Sequence, residues 1–337
     1  MTASAASPPS TVDIHAPPPV DSSLQGLDLL ALSDWTADQL QSVLALARWF
    51  KATQQAGQPH RFMVGRSLAM IFEKASLRTR CTFEVGMTQL GGHAIDLASE
   101  HERLGVRETV PDIARNLERW VDAIMARVHN HDTVTMLAEF AGVPVINGLS
   151  DLSHPCQVLG DLLTIHEHRG HLRGLQLAFV GDGFNVAHSL LLAAGTLGLQ
   201  LSVATPAGYE PRPDIVALAR DLGATTGAEI MLGHDPREAA RHADVIYTDA
   251  WVSMGQEEEM ARRLQVFPAY QVNADLVALA APDALVMHCL PAHRGHEVTD
   301  EVMDGPQSVV FDQAENRLHA QKAILVSLVG LDAEGTV

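Results

Sequence analysis

Ser76, Arg78 and Thr79 bring hydroxyl and guanidinium donors together in a short polar stretch, and Arg80 follows directly. Such donors suit phosphate oxygens, which arginine can bind through two parallel hydrogen bonds. An apolar run over 67–72 precedes the stretch and a helical pattern follows it, so it lies where a strand turns into a helix. Free backbone N–H groups and the positive end of the helix dipole favour an anion there. The stretch therefore predicts a phosphate site; the alternative is a helix N-cap at Ser76 with solvated arginines.

Three further polar side chains stand at the ends of predicted elements, where they could contact a ligand. Arg127 ends an apolar strand pattern over 122–127, and ligands collect at the carboxyl ends of such strands. His154 and Gln157 stand at i and i+3 on one face of a helix start, where each can hydrogen-bond a carbonyl or an amide. The alternatives are a surface arginine, a capping histidine and a solvent-facing glutamine.

A glycine-rich turn follows the first predicted strand of the second half. Gly181-x-Gly183 suggests a dinucleotide site, but Val186 stands where the fingerprint has its third glycine, and no acidic residue ends the next strand. We therefore expect the turn to present Asp182 and Asn185 at the sheet edge instead of binding a nucleotide.

Two later strands end in residues that could face a second substrate. Asp249 ends one of them and can hold a cationic amine, with Ser253 behind it to bind a carboxylate. The alternative for this segment is an N-capped loop. Cys289 ends the last strand, where it is a nucleophile, a ligand or a packed thiol, the packed thiol being the usual state of an isolated cysteine.

Strand and helix patterns alternate along the chain, which predicts parallel sheets covered by helices on both faces. With 337 residues, the chain is long enough for two domains. We expect an α/β protein of two domains, each a parallel sheet flanked by helices, joined by bridging helices. The expected division is a disordered Ala-, Ser- and Pro-rich tail over 1–24, a first domain over 25–153 completed by a C-terminal helix over 316–332, and a second domain over 154–315.

Charge and cysteine usage exclude several classes of protein. Lys and Arg number 23 against 41 Asp and Glu, and the resulting charge of −18 argues against nucleic acid and anionic membranes as partners. No apolar stretch reaches the length of a membrane span, and the N-terminal tail lacks the features of a signal or transit peptide. Three widely spaced cysteines fit free thiols in a reducing compartment, so a cytoplasmic location is expected. His166, His168 and His171 lack further ligands at a suitable spacing, so no metal is predicted.

Four motifs, in order, resemble the aspartate/ornithine carbamoyltransferase family over the chain from about Gln25 to its C-terminus. They are Ser76-x-Arg78-Thr79, His154-Pro155-Cys156-Gln157, Asp249-x-x-x-Ser253-Met254-Gly255 and His288-Cys289-Leu290-Pro291. The third motif is typical of the members that act on ornithine. The resemblance implies transfer of a carbamoyl group from carbamoyl phosphate to the δ-amine of L-ornithine, as in arginine biosynthesis or breakdown.

Two positions depart from the family pattern. Leu77 stands where many members have Thr, and Val128-His129-Asn130 follows Arg127 where Thr-Phe is more usual. Because the backbone at Leu77 can still serve the phosphate site, and because Arg127 itself is retained, the site is expected to persist.

The resemblance also implies a role for each site residue. The carbamoyl phosphate site would comprise Ser76, Leu77, Arg78, Thr79, Arg127, His154, Gln157, Cys289, Leu290 and Arg317. The ornithine site would comprise Asn185, Asp249, Ser253 and Met254. The catalytic set would be Arg127, His154, Gln157, Asp249 and Cys289. Thr79, Arg127, His154 and Gln157 would polarise the carbamoyl carbonyl.

Assembly and motion follow from the same resemblance. It implies a homotrimer with phosphate sites near the subunit boundaries, no metal or organic cofactor, and domain closure in which the loop 249–255 moves inward. A catalytically silent protein that binds carbamoyl phosphate or an amino acid on the same fold is the alternative of a different class, and an NAD-dependent dehydrogenase is a distant third.

Overall fold

Two parallel β-sheets organise the chain in a computed structural model that describes residues 12–98, 104–252 and 256–330. The nine strands are β1 (Ser67–Phe72), β2 (His93–Ala98), β3 (Ala123–Arg127), β4 (Val145–Leu149), β5 (Gln176–Val180), β6 (Gln200–Ala204), β7 (Ile230–Gly233), β8 (Val245–Thr248) and β9 (Leu285–His288). The first sheet has the order β2-β1-β3-β4 and the second the order β7-β6-β5-β8-β9, with every pairing parallel. The predicted fold class is confirmed.

Helices cover both sheets. The α-helices are α1 (Ala37–Gln55), α2 (Leu77–Gln89), α3 (Val110–Leu117), α4 (His131–Phe140), α5 (Pro155–Arg169), α6 (Asn185–Leu197), α7 (Pro213–Thr226), α8 (Pro236–Ala240), α9 (Met260–Val266), α10 (Ala274–Val277), α11 (Asp300–Met303) and α12 (Val310–Val329). Short 3-10 helices cover Ser22–Leu24, Leu32–Asp34, Glu257–Glu259 and Phe267–Tyr270. Among these described elements, none is a helix both long and apolar enough to cross a bilayer.

The strands read as nearly continuous apolar runs because helices bury both faces of each sheet. All five residues of β4 are buried, and so are five of the six residues of β1. Between the sheets, α5 is buried from Pro155 to Ile165, and α12 packs along it as well as against α1 and α2. Gly160 permits this close approach, since a Cβ there would stand 3.1 Å from Cγ of Arg317.

The helix that ends the chain begins at Val310, earlier than the expected Asn316. Its first turn contains Val310 and Phe311, and β-branched and aromatic residues are weak helix formers on their own. Packing of Val310, which is 1% exposed, against the second sheet outweighs that local preference.

The N-terminal stretch differs from the expected disordered tail over the part that is described. Val12 and Val20 pack partly buried against the core, and Leu24 is fully buried. Ser253 and Met254 of the expected ornithine site lie outside the described residues.

Candidate active site

The carboxyl edge of the first sheet brings the ends of β1 and β3 side by side. Phe72 and Arg127 are paired in register, and the backbone N–H of Glu73 donates to the carbonyl of Arg127 at 3.0 Å. The Glu73 carboxylate then accepts from the backbone N–H groups of His129, at 2.6 Å, and Leu104, at 2.9 Å. Glu73 therefore fixes the loops beside the predicted phosphate site, a role that sequence reasoning missed because its partners come from distant segments.

Helix α2 begins directly after this edge. Ser76 occupies the N-cap position in an extended conformation, yet its side chain makes no capping hydrogen bond. Ser76 and the first backbone N–H groups of α2 are thus available to a ligand, as the phosphate interpretation requires. Leu77 directs its side chain to solvent, with 74% exposed, so only its backbone faces the site.

Thr79 and Arg317 join the start of α2 to the C-terminal helix. Thr79 is fully buried, and its Oγ1 accepts a hydrogen bond of 2.8 Å from Nη2 of Arg317. Arg80, the other arginine of the polar stretch, turns away from the site and forms an ion pair with Asp96.

Arg78, Arg127 and Arg317 form a cluster of like charges. The pKa of Arg127 is lowered to about 10, first by burial and then by the positive charges of Arg317 and Arg78. Each of the three side chains has a buried Nε atom without a hydrogen-bond partner among the residues that the structure describes. Buried like charges with unused donors are costly unless a counter-charge binds them, so the cluster is built for an anion.

His154 lies beside this cluster at the N-cap of α5. Its backbone N–H donates to Oγ of Ser189 at 2.8 Å, which fixes the start of the helix. Burial and then the charges of Arg317, Arg127 and Arg78 hold the pKa of His154 well below its usual range, so the imidazole is neutral. Its buried Nδ1 makes no hydrogen bond within the described part of the chain. A neutral imidazole can donate to, or accept from, a substrate without adding charge.

Gln157 lies on the first turn of α5. Its Nε2 already donates to Oδ1 of Asp161 at 2.8 Å, so the amide presents its oxygen on the other side. That Oε1 atom is buried and has no partner in the described ranges. Gln157 is therefore suited to accept a hydrogen bond from a substrate N–H.

Asp249 and Cys289 follow directly after two neighbouring strands of the second sheet. Thr248 and His288 are paired in register, which places the next residues together, and Sγ of Cys289 donates to Oδ1 of Asp249 at 2.8 Å. Burial, followed by the charge of Asp249, raises the pKa of Cys289 well above its usual range. The thiol is therefore protonated and held by the carboxylate, which disfavours the nucleophile interpretation.

Leu290 adopts a positive φ of 58°, and its backbone N–H donates to Nδ1 of His288 at 2.8 Å. Nε2 of His288 contacts Oε1 of Glu297 at 3.1 Å, so both ring nitrogens are engaged. Asp249, His288 and Cys289 are the only group of potential metal ligands that converges among the described residues, and their ligand atoms lie within 4.8 Å of one another. All three are held in hydrogen bonds within the protein. The histidines 166, 168 and 171 do not come together as such a group over the same ranges.

Asn185 begins α6, is almost fully buried and donates from Nδ2 to the carbonyl of Ser150 at 2.7 Å. It thus ties the second domain to the loop that ends the first sheet. The preceding glycine turn packs tightly instead of leaving room for a nucleotide, because a Cβ at Gly183 would stand 2.4 Å from the backbone nitrogen of Pro211.

Asp182, which was expected to be presented at the sheet edge, forms a buried ion pair with Arg263. Nη1 of Arg263 lies 2.6 Å from the Asp182 carboxylate. Arg263 also donates to the carbonyl of Trp251 at 2.9 Å and so anchors the segment that follows Asp249. Sequence reasoning did not single out Arg263, and its position among charged and polar residues of α9 carries no signal that it is buried.

The fold and the site together define a two-domain α/β protein with an arginine cluster suited to an anion at the edge of one sheet. A carboxylate and a thiol follow two neighbouring strands of the other sheet. Two family models match the chain: "Aspartate/ornithine carbamoyltransferase, carbamoyl-P binding domain" over 27–167 and "Aspartate/ornithine carbamoyltransferase, Asp/Orn binding domain" over 173–328. The chain belongs to the aspartate/ornithine carbamoyltransferase family, which confirms the resemblance inferred from its motifs.

Individual relatives agree with the family models. A Pyrococcus furiosus protein named as an anabolic ornithine carbamoyltransferase is 55% identical over 308 residues, which are 91% of this chain and 98% of that protein. The solved structure of ornithine carbamoyltransferase from P. furiosus matches with a TM-score of 0.88, covering 91% of this chain and 98% of its own. The enzyme of that name from Gloeobacter violaceus matches at 48% identity and a TM-score of 0.81, covering 90% and 98%.

Proposed function

We propose that this protein is an ornithine carbamoyltransferase, which transfers the carbamoyl group of carbamoyl phosphate to the δ-amine of L-ornithine and releases L-citrulline and phosphate. The observation that carries the proposal is the cluster of Arg78, Arg127 and Arg317, each with a buried Nε atom that no described residue engages. A doubly charged phosphate beside a neutral acyl group is the ligand that this arrangement fits.

The donor site follows from these contacts. Ser76, the backbone at Leu77, and the three arginines would bind the phosphate. Thr79, Arg127 and His154 would donate to the carbamoyl oxygen, where negative charge grows as the carbon is attacked. Preorganised donors aimed at such a developing charge lower the barrier to reaction. Cys289 and Leu290, at the end of β9, would border the same pocket.

The acceptor site would lie across the cleft. Asp249 would bind the amine side of ornithine, and Asn185, Ser253 and Met254 would bind its α-amino and carboxylate end. In the reaction, the lone pair of the uncharged δ-amine forms the new C–N bond. The bond from carbon to the bridging oxygen breaks, phosphate leaves with the electron pair, and the amine proton passes to phosphate or water. The arginines neutralise the leaving group, so the proposed chemistry calls for no metal or organic cofactor.

Domain roles follow from the same assignment. We assign carbamoyl phosphate to the domain over 25–153 with the C-terminal helix, and ornithine to the domain over 154–315. Closure of one domain on the other would bring the reactants together and exclude water.

We also propose a homotrimer in the cytoplasm that works in the biosynthetic direction. Ile95 and Leu97 are exposed on the edge strand β2, and Leu77 and Val85 are exposed on the neighbouring helix α2. Exposed apolar side chains on adjacent elements next to the proposed phosphate site support a subunit interface there. The three cysteines are free, which supports a reducing compartment. The biosynthetic direction rests on the P. furiosus relative, which is named as anabolic.

One assay tests the substrate assignment. Purified protein is incubated with carbamoyl phosphate and, in parallel, with ornithine, acetylornithine, putrescine or aspartate, and the carbamoylated product is measured. We expect product with ornithine alone. Turnover of another amine without ornithine would reject the substrate, and calorimetric binding of carbamoyl phosphate without any turnover would instead support a silent binding protein.

A further inference from the structure

Asp161 is a fully buried carboxylate on α5, one turn after Gln157. Its Oδ1 accepts from Nε2 of Gln157 at 2.8 Å and from Nε2 of Gln313 at 2.7 Å. Its Oδ2 accepts from the hydroxyl of Tyr247 at 2.9 Å. Three donors thus converge on one carboxylate at the junction of the two domains, a place to which the catalytic scheme above assigns no role.

A carboxylate has no hydrogen to donate, so Asp161 determines which end of the Gln157 amide it contacts. Gln157 must direct its NH2 group to Asp161, and its Oε1 must therefore face the opposite way. That Oε1 atom is buried and unpartnered within the described residues, on the helix turn that begins at His154. A buried acceptor without a partner favours a ligand that supplies an N–H donor at this point.

Gln313 and Tyr247 hold Asp161 in the role of a hydrogen-bond acceptor. Oε1 of Gln313 accepts from the backbone N–H of His288 at 2.9 Å, so its amide orientation is fixed as well. Nε2 of Gln313 also donates to the Tyr247 hydroxyl at 3.1 Å, which leaves the hydroxyl hydrogen for Asp161. The network is consistent only when Asp161 acts as an acceptor.

We propose that Asp161 is a positioning residue that turns Oε1 of Gln157 toward the acyl donor and so selects an acyl phosphate bearing NH2 over one bearing methyl. The inference rests on the proposed function, because it takes the cluster of arginines as the site of the donor phosphate. Carbamoyl phosphate and acetyl phosphate have nearly the same shape. The difference is that only carbamoyl phosphate can satisfy the buried oxygen of Gln157.

Two stable probes isolate this preference. Phosphonoacetamide replaces the bridging oxygen of carbamoyl phosphate with CH2 and keeps the NH2 group, whereas 2-oxopropylphosphonate carries methyl in its place. Calorimetry on the full-length protein should show the amide binding about 10- to 100-fold more tightly, since the ketone leaves a buried acceptor unpaired. Equal affinities in the wild-type protein would overturn the proposal without any variant.

Variants then distinguish the effect of Asp161 from the effects of neighbouring residues. The quantity compared is the affinity for phosphonoacetamide divided by the affinity for 2-oxopropylphosphonate. Gln157→Leu has no acceptor at this point and should give the lowest ratio. Asp161→Leu removes the group that orients Gln157, so its ratio should fall close to that of Gln157→Leu, and the double variant should fall no further. Tyr247→Phe removes a different donor to Asp161 but leaves the contact with Gln157, so it should keep the wild-type ratio. If Asp161→Leu does not fold, Asp161→Ser replaces a pure acceptor with a hydroxyl that also donates, and the same fall is expected.

The outcomes distinguish the two proposals. A wild-type protein that neither binds phosphonoacetamide nor forms citrulline would reject the proposed function, and the inference with it. A protein that does both, but whose ratio is unchanged in Asp161→Leu or Asp161→Ser, would reject the inference alone. If the ratio falls equally in Tyr247→Phe, the network has only a structural role, and this result would also contradict the inference.

Discussion

Cys289 donates a hydrogen bond of 2.8 Å from Sγ to Oδ1 of Asp249, across the ends of the neighbouring strands β9 and β8. The backbone N–H of Ala250 donates to the same oxygen at 2.7 Å. Two donors therefore hold the Asp249 carboxylate in one orientation through its Oδ1 atom. The thiol is best understood as an orienting group, because its raised pKa keeps it protonated.

Cys289→Ser and Cys289→Ala should consequently differ. Serine keeps a donor to Asp249, so kcat/KM for ornithine is expected to stay within about threefold of wild type, whereas alanine should lower it about tenfold through loss of one hydrogen bond to a charged group. Steady-state kinetics at saturating carbamoyl phosphate measure both. A complete loss of activity in Cys289→Ser would instead indicate thiolate chemistry.

Arg78 and Arg80 offer a matched pair for the phosphate site, since they differ in what their side chains contact. Arg78 belongs to the arginine cluster, is half-buried, and has an Nε atom that no described residue engages, whereas Arg80 pairs with Asp96. Arg78→Ala should reduce kcat/KM for carbamoyl phosphate at least about 100-fold, since a charge-assisted contact to the phosphate is lost. Arg80→Ala should stay within about threefold. Kinetics on both variants provide the test, and equal effects would contradict the assigned site.

We expect Arg127 to be needed for activity but to destabilise the protein when no ligand is bound. Burial, followed by the positive charges of Arg317 and Arg78, lowers its pKa to about 10. Replacement of a buried charge by an apolar side chain of similar size is often stabilising, so Arg127→Met should raise Tm by about 2–4 °C for each kcal/mol gained. Differential scanning calorimetry without phosphate measures this change.

Added phosphate supplies the control for Arg127. Saturating phosphate should raise the Tm of the wild-type protein, because a ligand that binds only the folded state stabilises it by mass action. The same addition should have little effect on Arg127→Met, which should also lack transferase activity. A variant that is both less stable and equally responsive to phosphate would show that Arg127 has a structural role only.

Local patterns were sufficient to predict the two sheets and the residues at their edges. β1 and the residues from Ser76 to Thr79 were located correctly because an apolar run, a polar turn and a helix follow one another in the sequence. Arg127 was placed because it ends a strand, and strand ends share one edge of a parallel sheet.

Relationships between distant residues could not be predicted in the same way. Thr79 and Arg317 are separated by 238 positions, and no property of either residue reports that contact. Asp161 carries a carboxylate, a group that is almost never fully buried unless it is paired, so its burial was not expected from its residue type. Because the orientation of Gln157 depends on Asp161, its role as an acceptor could emerge only from the folded structure.

The donor preference should depend on pH through Asp161. Burial raises the pKa of Asp161 to about 6, against the opposing influence of its three hydrogen-bond donors and of Arg317. Above that pH the carboxylate can only accept, whereas below it the protonated group can also donate and no longer fixes the Gln157 amide. The ratio of the affinities for phosphonoacetamide and 2-oxopropylphosphonate should therefore fall as the pH drops through about 6. Because both probes carry a phosphonate, their own titration largely cancels in the ratio, and Asp161→Ser should show no such step.

Lys322 gives the protein a dependence of stability on pH that is separate from catalysis. It is fully buried in α12, where Nζ lies 2.8 Å from Oε1 of Gln54, 2.9 Å from Oε1 of Gln89 and 3.0 Å from Nε2 of His60. No carboxylate is among these partners, and burial lowers its pKa from 10.5 to about 7. Between those values the unfolded chain binds a proton that the folded protein does not, so the contribution of Lys322 to the free energy of unfolding increases as the pH rises.

The expected size of that contribution is about 1.4 kcal/mol per pH unit at most, for one proton. Lys322→Met removes it, so the free energy of unfolding of the wild-type protein, minus that of the variant, should increase by about 2–3 kcal/mol from pH 7 to pH 9. The neighbouring His60 and His319 have lowered pKa values and do not titrate in this window, which leaves Lys322 as the source of the difference within the cluster. Urea unfolding at pH 7, 8 and 9 measures it. A difference that stays constant over this range would mean that the buried ammonium keeps its proton, with the two glutamine oxygens replacing the hydration it loses.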